Sequence, residues 1–233
     1  MFDGSEPIPR MALAGDLALP LSFRALPASP LQGWQGTVKR LLDILLGGLL
    51  LAACGAPMLL LALLVRLDSP GPVLFRQRRI GLGGADFVML KFRTMRVHAA
   101  PAATLCQARP GDPRVTRLGA VLRRLSLDEL PQLINVLRGD MSLVGPRPHA
   151  PGTCAGGRPF EQVTARYAAR HRVRPGMTGL AQVRGWRGAT ETEEKLLRRV
   201  DSDLEYIETW SLWRDLLILA GTVRAVCGMC NAH

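Results

Sequence analysis

The chain has 233 residues, a formal net charge of +11 from 30 Lys+Arg against 19 Asp+Glu, and only 5% aromatic residues. That length holds one sizeable domain with extras, and the basic surplus suits nucleic acid, an anionic membrane surface or phosphorylated substrates. Zinc-finger spacing and aromatic-rich strands are absent, which weighs against nucleic acid, and five irregularly spaced cysteines exclude a disulfide framework.

Residues 1–36 are rich in Pro, Ala, Leu and Gly without periodicity, and lack the basic n-region and apolar core of a signal peptide. They read as a disordered cytoplasmic tail. Leu41 to Val65 is apolar with one charge, Asp43. As a helix it is roughly 37 Å long, enough to cross a bilayer. Pro57 inside it interrupts the hydrogen-bond ladder. Lys39 and Arg40 precede it, and Arg66, Arg76, Arg78 and Arg79 follow. Charge bias therefore orients no simple span, but it is satisfied if both ends stay on the cytoplasmic face and the chain turns back at Pro57. On these grounds a span and a re-entrant helix both stay open. Asp43 is spaced to pair with Lys39 or Arg40 near the headgroups.

Val73 to Arg76 and Phe87 to Phe92 read as strands of a small β-hairpin around a glycine-rich turn, Gly81 to Gly84, with Lys91 and Arg93 ending the second strand. Ala99 to Pro113 reads as a surface loop. Arg114 to Leu125 is a basic amphipathic helix with Leu118, Val121, Leu122 and Leu125 on its apolar face, suited to a core or to a membrane interface. Glu191 to Glu208 is a charged helix with Leu197, Val200, Leu204 and Ile207 on one face. Trp210 and Trp213 introduce an apolar helix to about Val226, at headgroup depth or in a core. The tail, 227–233, carries Cys227, Cys230 and His233, too few ligands for zinc, and reads as incidental.

The most informative stretch is Ser126 to Pro148, SLDELPQLINVLRGDMSLVGPRP. Asp128 and Glu129 open a helix whose stripe is Leu130, Leu133, Ile134 and Leu137. Gly139 stops it, and Pro146 and Pro148 stiffen a loop that returns Arg147 toward the acids. In the bland reading, Ser126 and Glu129 form a capping box and Asp128 merely complements the helix dipole. In the functional reading, a carboxylate whose pKa the helix N-terminus lowers is an ionised nucleophile for an anionic substrate. Arg114, Arg117, Arg123 and Arg124 lie just upstream.

This stretch is joined, in order, by DSPGPVLFRQRRIG at Asp68 to Gly81, KFRTM at Lys91 to Met95, and DPRVTRLG at Asp112 to Gly119. RPGMTGLAQVRG at Arg174 to Gly185 and YIETWSLWRDL at Tyr206 to Leu216 follow. The ordered set, over roughly Thr37 to Val226, resembles the bacterial sugar transferases, monotopic polyprenyl-phosphate phosphoglycosyl transferases. The resemblance implies an α+β, mainly helical fold. It has a re-entrant membrane helix over 37–67 bent at Pro57, interfacial amphipathic helices, the small hairpin, and a catalytic domain over 68–226. It implies transfer of sugar-1-phosphate from a UDP-sugar to undecaprenyl phosphate, releasing UMP through a covalent aspartyl phosphosugar. Asp128 would be the nucleophile and Glu129 a Mg²⁺ ligand. Lys91, Arg123 and Arg147 would neutralise phosphates, and Arg174, Gly179 and Gln182 would serve the nucleotide pocket.

The implied setting is the bacterial inner membrane, with the catalytic domain on its cytoplasmic face and lipids as partners. No nucleic-acid partner is expected, and homo-oligomerisation is left open. Gln182 to Trp213 most resembles members that start exopolysaccharide repeats with glucose-1-phosphate; galactose or an N-acetylated sugar is the alternative. Many such members carry further membrane helices and a domain ahead of the catalytic part, where this chain has about 36 residues. A catalytically silent membrane scaffold and a basic nucleic-acid binder are the readings from other classes.

Overall fold

The computed structural model describes Ser29, Leu31, residues 33–96 and residues 112–227. Of the expected tail over 1–36, residues 1–28, 30 and 32 lie outside those residues, and Trp34 to Gly36 are helical rather than disordered; most of the Ala99 to Pro113 loop, and Cys230 and His233, also lie outside them.

Helix α1 spans Trp34–Asp68 and stays helical on both sides of Pro57. Any change of direction there is a kink within one helix. A stripe of α1 faces the rest of the chain at both ends. Near its start, Arg40 donates to the carbonyls of Val136 and Leu137 at 2.6 and 2.8 Å. Asp43 accepts from Ser142 Oγ and the Leu143 N–H, both at 3.0 Å. The expected partner of Asp43, Lys39, stands 4.0 Å away and gives its shorter bond, 2.7 Å, to Asp215. Buried carboxylates take whichever donors desolvation leaves nearest, and here the domain supplies them. At the other end Val65 packs with Phe92 and Leu122, while Arg93 donates to Val65 O and Pro72 O. The opposite face of α1 exposes Leu41, Leu45, Leu49, Leu59, Leu60, Leu63 and Leu67.

Strands β1 (Leu74–Ile80) and β2 (Asp86–Phe92) pair antiparallel in full register, Leu74 with Phe92 through Ile80 with Asp86. The first strand runs past the expected Arg76, because Gln77, Arg78 and Arg79 alternate between half-buried and exposed positions up to the buried Ile80. Helix α2 (Arg117–Arg124) starts three residues later than expected, since Thr116 accepts from the Gly119 N–H and caps it. Leu122 is buried, whereas Val121 is exposed. A 3-10 turn, Leu127–Glu129, and Pro131 separate α2 from α3 (Gln132–Arg138). Gly139 closes α3 at φ 96°, a left-handed conformation that glycine adopts without penalty.

β3 (Ser142–Val144) pairs parallel with β6 (Gly176–Thr178), and β4 (Cys154–Ala155) pairs antiparallel with β5 (Arg158–Pro159). Helix α4 (Phe160–Val163) and a 3-10 run, Ala165–Arg172, lead to β6, and the short α5 (Leu180–Val183) follows it. Helix α6 (Glu193–Glu208) buries Leu196, Val200, Leu204 and Ile207. The expected face is therefore rotated at its start: Leu197 is exposed and Leu196 takes its place. Helix α7 (Leu212–Cys227) leaves Trp213, Leu216, Leu217 and Val223 exposed. The main core joins α3, β3, the 3-10 run and α6 around Leu133, Val136, Met141, Tyr167 and Ile207. The chain is mainly helical with small strand pairs, as expected.

Candidate active site

The two acids sit on the 3-10 turn, and the turn has its own strain. Ser126 is the one non-glycine residue with positive φ among those described, at 57°. Its side chain caps nothing. The capping-box reading of Ser126 and Glu129 is thereby overturned. Glu129 turns its carboxylate the other way. Oε1 accepts from Lys91 Nζ at 2.7 Å and from Arg147 Nη2, and Oε2 accepts from Arg147 Nη1 at 3.1 Å. Burial alone would push this carboxyl up; Arg147 and Lys91 outweigh burial and hold it well below the usual carboxylate range.

Asp128 has the opposite balance. It is 8% exposed, and its carboxylate has no hydrogen-bond partner among the described residues. Burial raises its pKa, Lys91 opposes that, and Glu129 reinforces it. The expected lowering by a helix terminus is thus overturned. A single 3-10 turn presents little dipole, and desolvation dominates. Adjacent carboxyls pushed in opposite directions are a mark of functional pairs.

The surrounding cations arrive from separate elements. Lys91 ends β2. Arg123, at the end of α2, donates Nε to Thr94 Oγ1 at 2.8 Å, and its charge reaches Asp128. Arg147 rides the loop after β3, which is held from several sides. The Gly145 N–H donates to Thr178 O, the Gly176 N–H to Pro146 O, Arg170 Nη2 to Arg147 O and Arg79 Nη1 to Pro148 O. Behind it, Arg170 and Asp203 form a fully buried pair at 2.7 Å, and Arg170 also donates to His149 Nδ1. Burial, then the Arg170 charge, hold His149 neutral, well below its ordinary pKa. The proton then sits on Nε2.

Two further cations were missed in the sequence. Arg79 is pushed down to about 10, by burial first and then by Arg147. Arg187 is lowered by burial and then by Arg147, and it senses Glu129. Lys91, Arg123 and Arg147, three cations against two acids, leave a cationic excess around Asp128, and Arg79 and Arg187 add their charge on the Glu129 side. Arg79 was hidden in the basic run Arg76 to Arg79, where only its outward-inward alternation on β1 distinguishes it.

The nucleotide-pocket candidates separate in space. Gln182 is buried, with neither amide atom hydrogen-bonded. It lines a small cavity with Arg147, His149, Arg170, Arg199 and Asp203. Gly179 packs where a Cβ would lie 2.2 Å from Gly145 O, so it brings α5 against the Arg147 loop. Arg174 instead donates to Gly139 O at 2.9 Å and lines a larger cavity whose walls include neither acid.

Magnesium can be weighed against this geometry. Glu129 Oε2 accepts one bond, which leaves it a lone pair, and Asp128 oxygens are unengaged. These hard oxygens fit Mg²⁺, which takes few carboxylates and completes its shell with water and phosphate oxygens. With Lys91 and Arg147 already on Glu129, such an ion would need substrate oxygens to complete its shell.

An acid pair ringed by cations, beside a helix long and apolar enough to cross a membrane, suits phosphate chemistry. The bacterial sugar transferase family model matches residues 34–229, and the chain belongs to that family. It is 54% identical over 195 residues to a UDP-glucose:undecaprenyl-phosphate glucose-1-phosphate transferase of Caulobacter vibrioides, covering 84% of this chain and 72% of that protein. It is 49% identical over 205 residues to an undecaprenyl-phosphate glucose phosphotransferase of Komagataeibacter xylinus, covering 88% and 38% of the two chains. It is also 49% identical over 195 residues to an Escherichia coli protein named as the Caulobacter one is, covering 84% and 41%. The chain thus spans well under half the length of two of these relatives.

Proposed function

We propose that the protein transfers glucose-1-phosphate from UDP-glucose to undecaprenyl phosphate, releasing UMP, as a membrane step of exopolysaccharide synthesis. The observation that carries this reading is Asp128. It is a buried, unengaged carboxylate beside a Glu129 locked by two cations, with more positive charge around it than the acids neutralise.

Asp128 attacks the sugar-linked phosphorus of the donor. The bond from that phosphorus to the UMP oxygen breaks, and UMP leaves with the electron pair. An oxygen of the lipid phosphate then attacks the same phosphorus, and the aspartyl bond breaks to restore Asp128. Donor, acceptor and nucleophile are all anionic, so fixed positive charge must offset their repulsion. Lys91, Arg147, Arg123, Arg79 and Arg187 supply it and hold the phosphates in line. Mg²⁺, held by Glu129 with substrate oxygens, would add charge on the departing phosphate. Gln182 and Gly179 shape the floor on which the nucleotide rests.

The packing of α1 supports one membrane arrangement. Lys39 to Gly47 and Met58 to Ser69 both pack on the same catalytic domain. A helix crossing a bilayer with its domain on one side cannot dock both ends there, since the hydrocarbon core is about 30 Å thick. This supports a helix that dips into one leaflet and returns on the cytoplasmic face, flexing at Pro57. The exposed apolar faces of α1 and α7 would meet lipid. The test is UMP release in nanodiscs containing undecaprenyl phosphate, with a panel of UDP-sugars and Mg²⁺. UDP-glucose should be preferred over UDP-galactose and UDP-N-acetylglucosamine. No release with any donor would refute the reaction.

A further inference from the structure

From Met141 to Ala150 every residue is buried except Arg147, which is half-buried. Past β3 this stretch cannot organise its own backbone, because Pro146 and Pro148 have no N–H and bar a helix or a longer ladder. Its carbonyls depend on donors from elsewhere. Arg170 reaches two of its residues at once. Nη2 donates to Arg147 O at 2.7 Å and Nη1 to His149 Nδ1 at 2.7 Å, so one guanidinium grips the chain on both sides of Pro148. The same fork is fixed from behind, where Nε and Nη2 donate to Asp203 Oδ2 at 3.0 and 2.7 Å.

Stability alone does not account for this pair. Its side chains are 1% and 2% exposed, and the desolvation of two such charges offsets most of their attraction. Apolar residues of similar size would hold the 3-10 run against α6 at least as well, and Tyr167, Val200, Leu204 and Ile207 already share one core there. The same two elements carry a second ion pair, Arg166 with Asp201 at 2.8 Å, whose side chains are 63% and 57% exposed. What distinguishes the buried pair is its hold on Arg147, whose own guanidinium grips Glu129 at the other end. We propose that Arg170, anchored by Asp203, is a positioning residue that fixes the Arg147 backbone, and through it the Glu129 carboxylate, for the reaction at Asp128. The inference rests on the reading of the two acids as the reaction site. Arg147 meets Glu129 through a long, rotatable side chain. A loop free to shift by about 1 Å would loosen that carboxylate, and displacements of this size cost up to about 100-fold in rate.

Two variants of the full chain in nanodiscs separate positioning from stability. Arg170→Lys keeps a cation for Asp203 but loses the planar fork, and with it the bonds to Arg147 O and His149. Arg170→Met/Asp203→Leu removes both charges together, so neither is left buried alone. In each, kcat and kcat/KM for UDP-glucose, per folded molecule, should fall together by about 10-fold to 100-fold. Amide hydrogen exchange over Ser142 to Ala150 should quicken by about tenfold, while α1 keeps its wild-type rates. Melting temperatures control for folding, and Arg170→Lys decides alone if the double variant melts early. Arg166→Gln/Asp201→Asn, on the same two elements, should change neither turnover nor loop exchange. Wild type that releases no UMP would overturn the reading of the acids and, with it, the role of Arg170. Wild-type kcat in Arg170→Lys would overturn the role of Arg170 alone. So would slower turnover with unchanged loop exchange, or an equal loss in the Arg166/Asp201 variant.

Discussion

Asp128 must be ionised to attack, yet burial raises its pKa. Activity should therefore fall as pH drops through that raised value, giving an acid limb above the roughly 3.9 of a free aspartate. Glu129 is depressed and stays charged throughout, so the limb belongs to Asp128. Lys91 lowers the Asp128 pKa, so Lys91→Met should raise it further and move the acid limb of kcat/KM to higher pH, beyond any loss of rate. A limb that stays put or moves down in a pH–rate profile would contradict this. Glu129→Gln removes the charge that fixes Lys91 and Arg147, and should cost about 100-fold or more in kcat, as lost electrostatic preorganisation does. A lost helix cap would cost only about 1 kcal/mol of stability, so a variant that melts early but turns over normally would restore the bland reading. The importance of both acids was legible in their sequence context. Their opposite environments were not, because Lys91 and Arg147 meet Glu129 across 38 and 18 residues of chain.

At the scale of elements, α1 is coupled to the catalytic domain through buried charge. Lys39 bonds Asp215, which also accepts from Tyr206 Oη at 2.8 Å and Trp210 Nε1 at 3.2 Å. Lys39→Met leaves a carboxylate buried without its cation and should cost about 3–5 kcal/mol, read as a lower melting temperature in nanodiscs. Lys39→Met/Asp215→Leu should recover much of that, and a single variant as stable as wild type would show that the pair couples nothing. Topology is read with Trp34→Cys and Asp68→Cys, both exposed ends of α1, in a background without native cysteines. Both should resist an impermeant maleimide in intact cells and label once the cytoplasmic face is open. Outside labelling of position 34 alone would mean a span. The apolar run, the hairpin and α6 were readable because periodicity and turn residues are local signals. The docking of α1 was not, since Asp43 and Lys39 look like a local i, i+4 pair until the domain brings Ser142 and Asp215 beside them. The one-position rotation of α6, Leu196 for Leu197, reflects tertiary packing choosing between two adjacent leucines.

For the whole molecule, membrane helix, hairpin and Arg147 loop converge on one cationic site, so both substrates are expected to meet at the membrane surface. The family was legible from the ordered motifs. The order itself reflects the physics, since each motif supplies one wall: Lys91 from KFRTM, Arg123 from α2, the acids from the 3-10 turn, Arg147 from the loop, and Gln182 from α5. The separation of Arg174 from that site was hidden, because sequence proximity to Gly179 and Gln182 says nothing about which side of β6 a side chain takes. The most direct measurement is intact-protein mass spectrometry after mixing the nanodisc-embedded protein with UDP-glucose and Mg²⁺ but no undecaprenyl phosphate. Wild type should gain the mass of one hexose phosphate, lose it when undecaprenyl phosphate is added, and yield the adduct on the peptide containing Asp128; Asp128→Asn should gain nothing. Turnover without any adduct in wild type, or an adduct and turnover preserved in Asp128→Asn, would contradict a covalent role for this carboxylate.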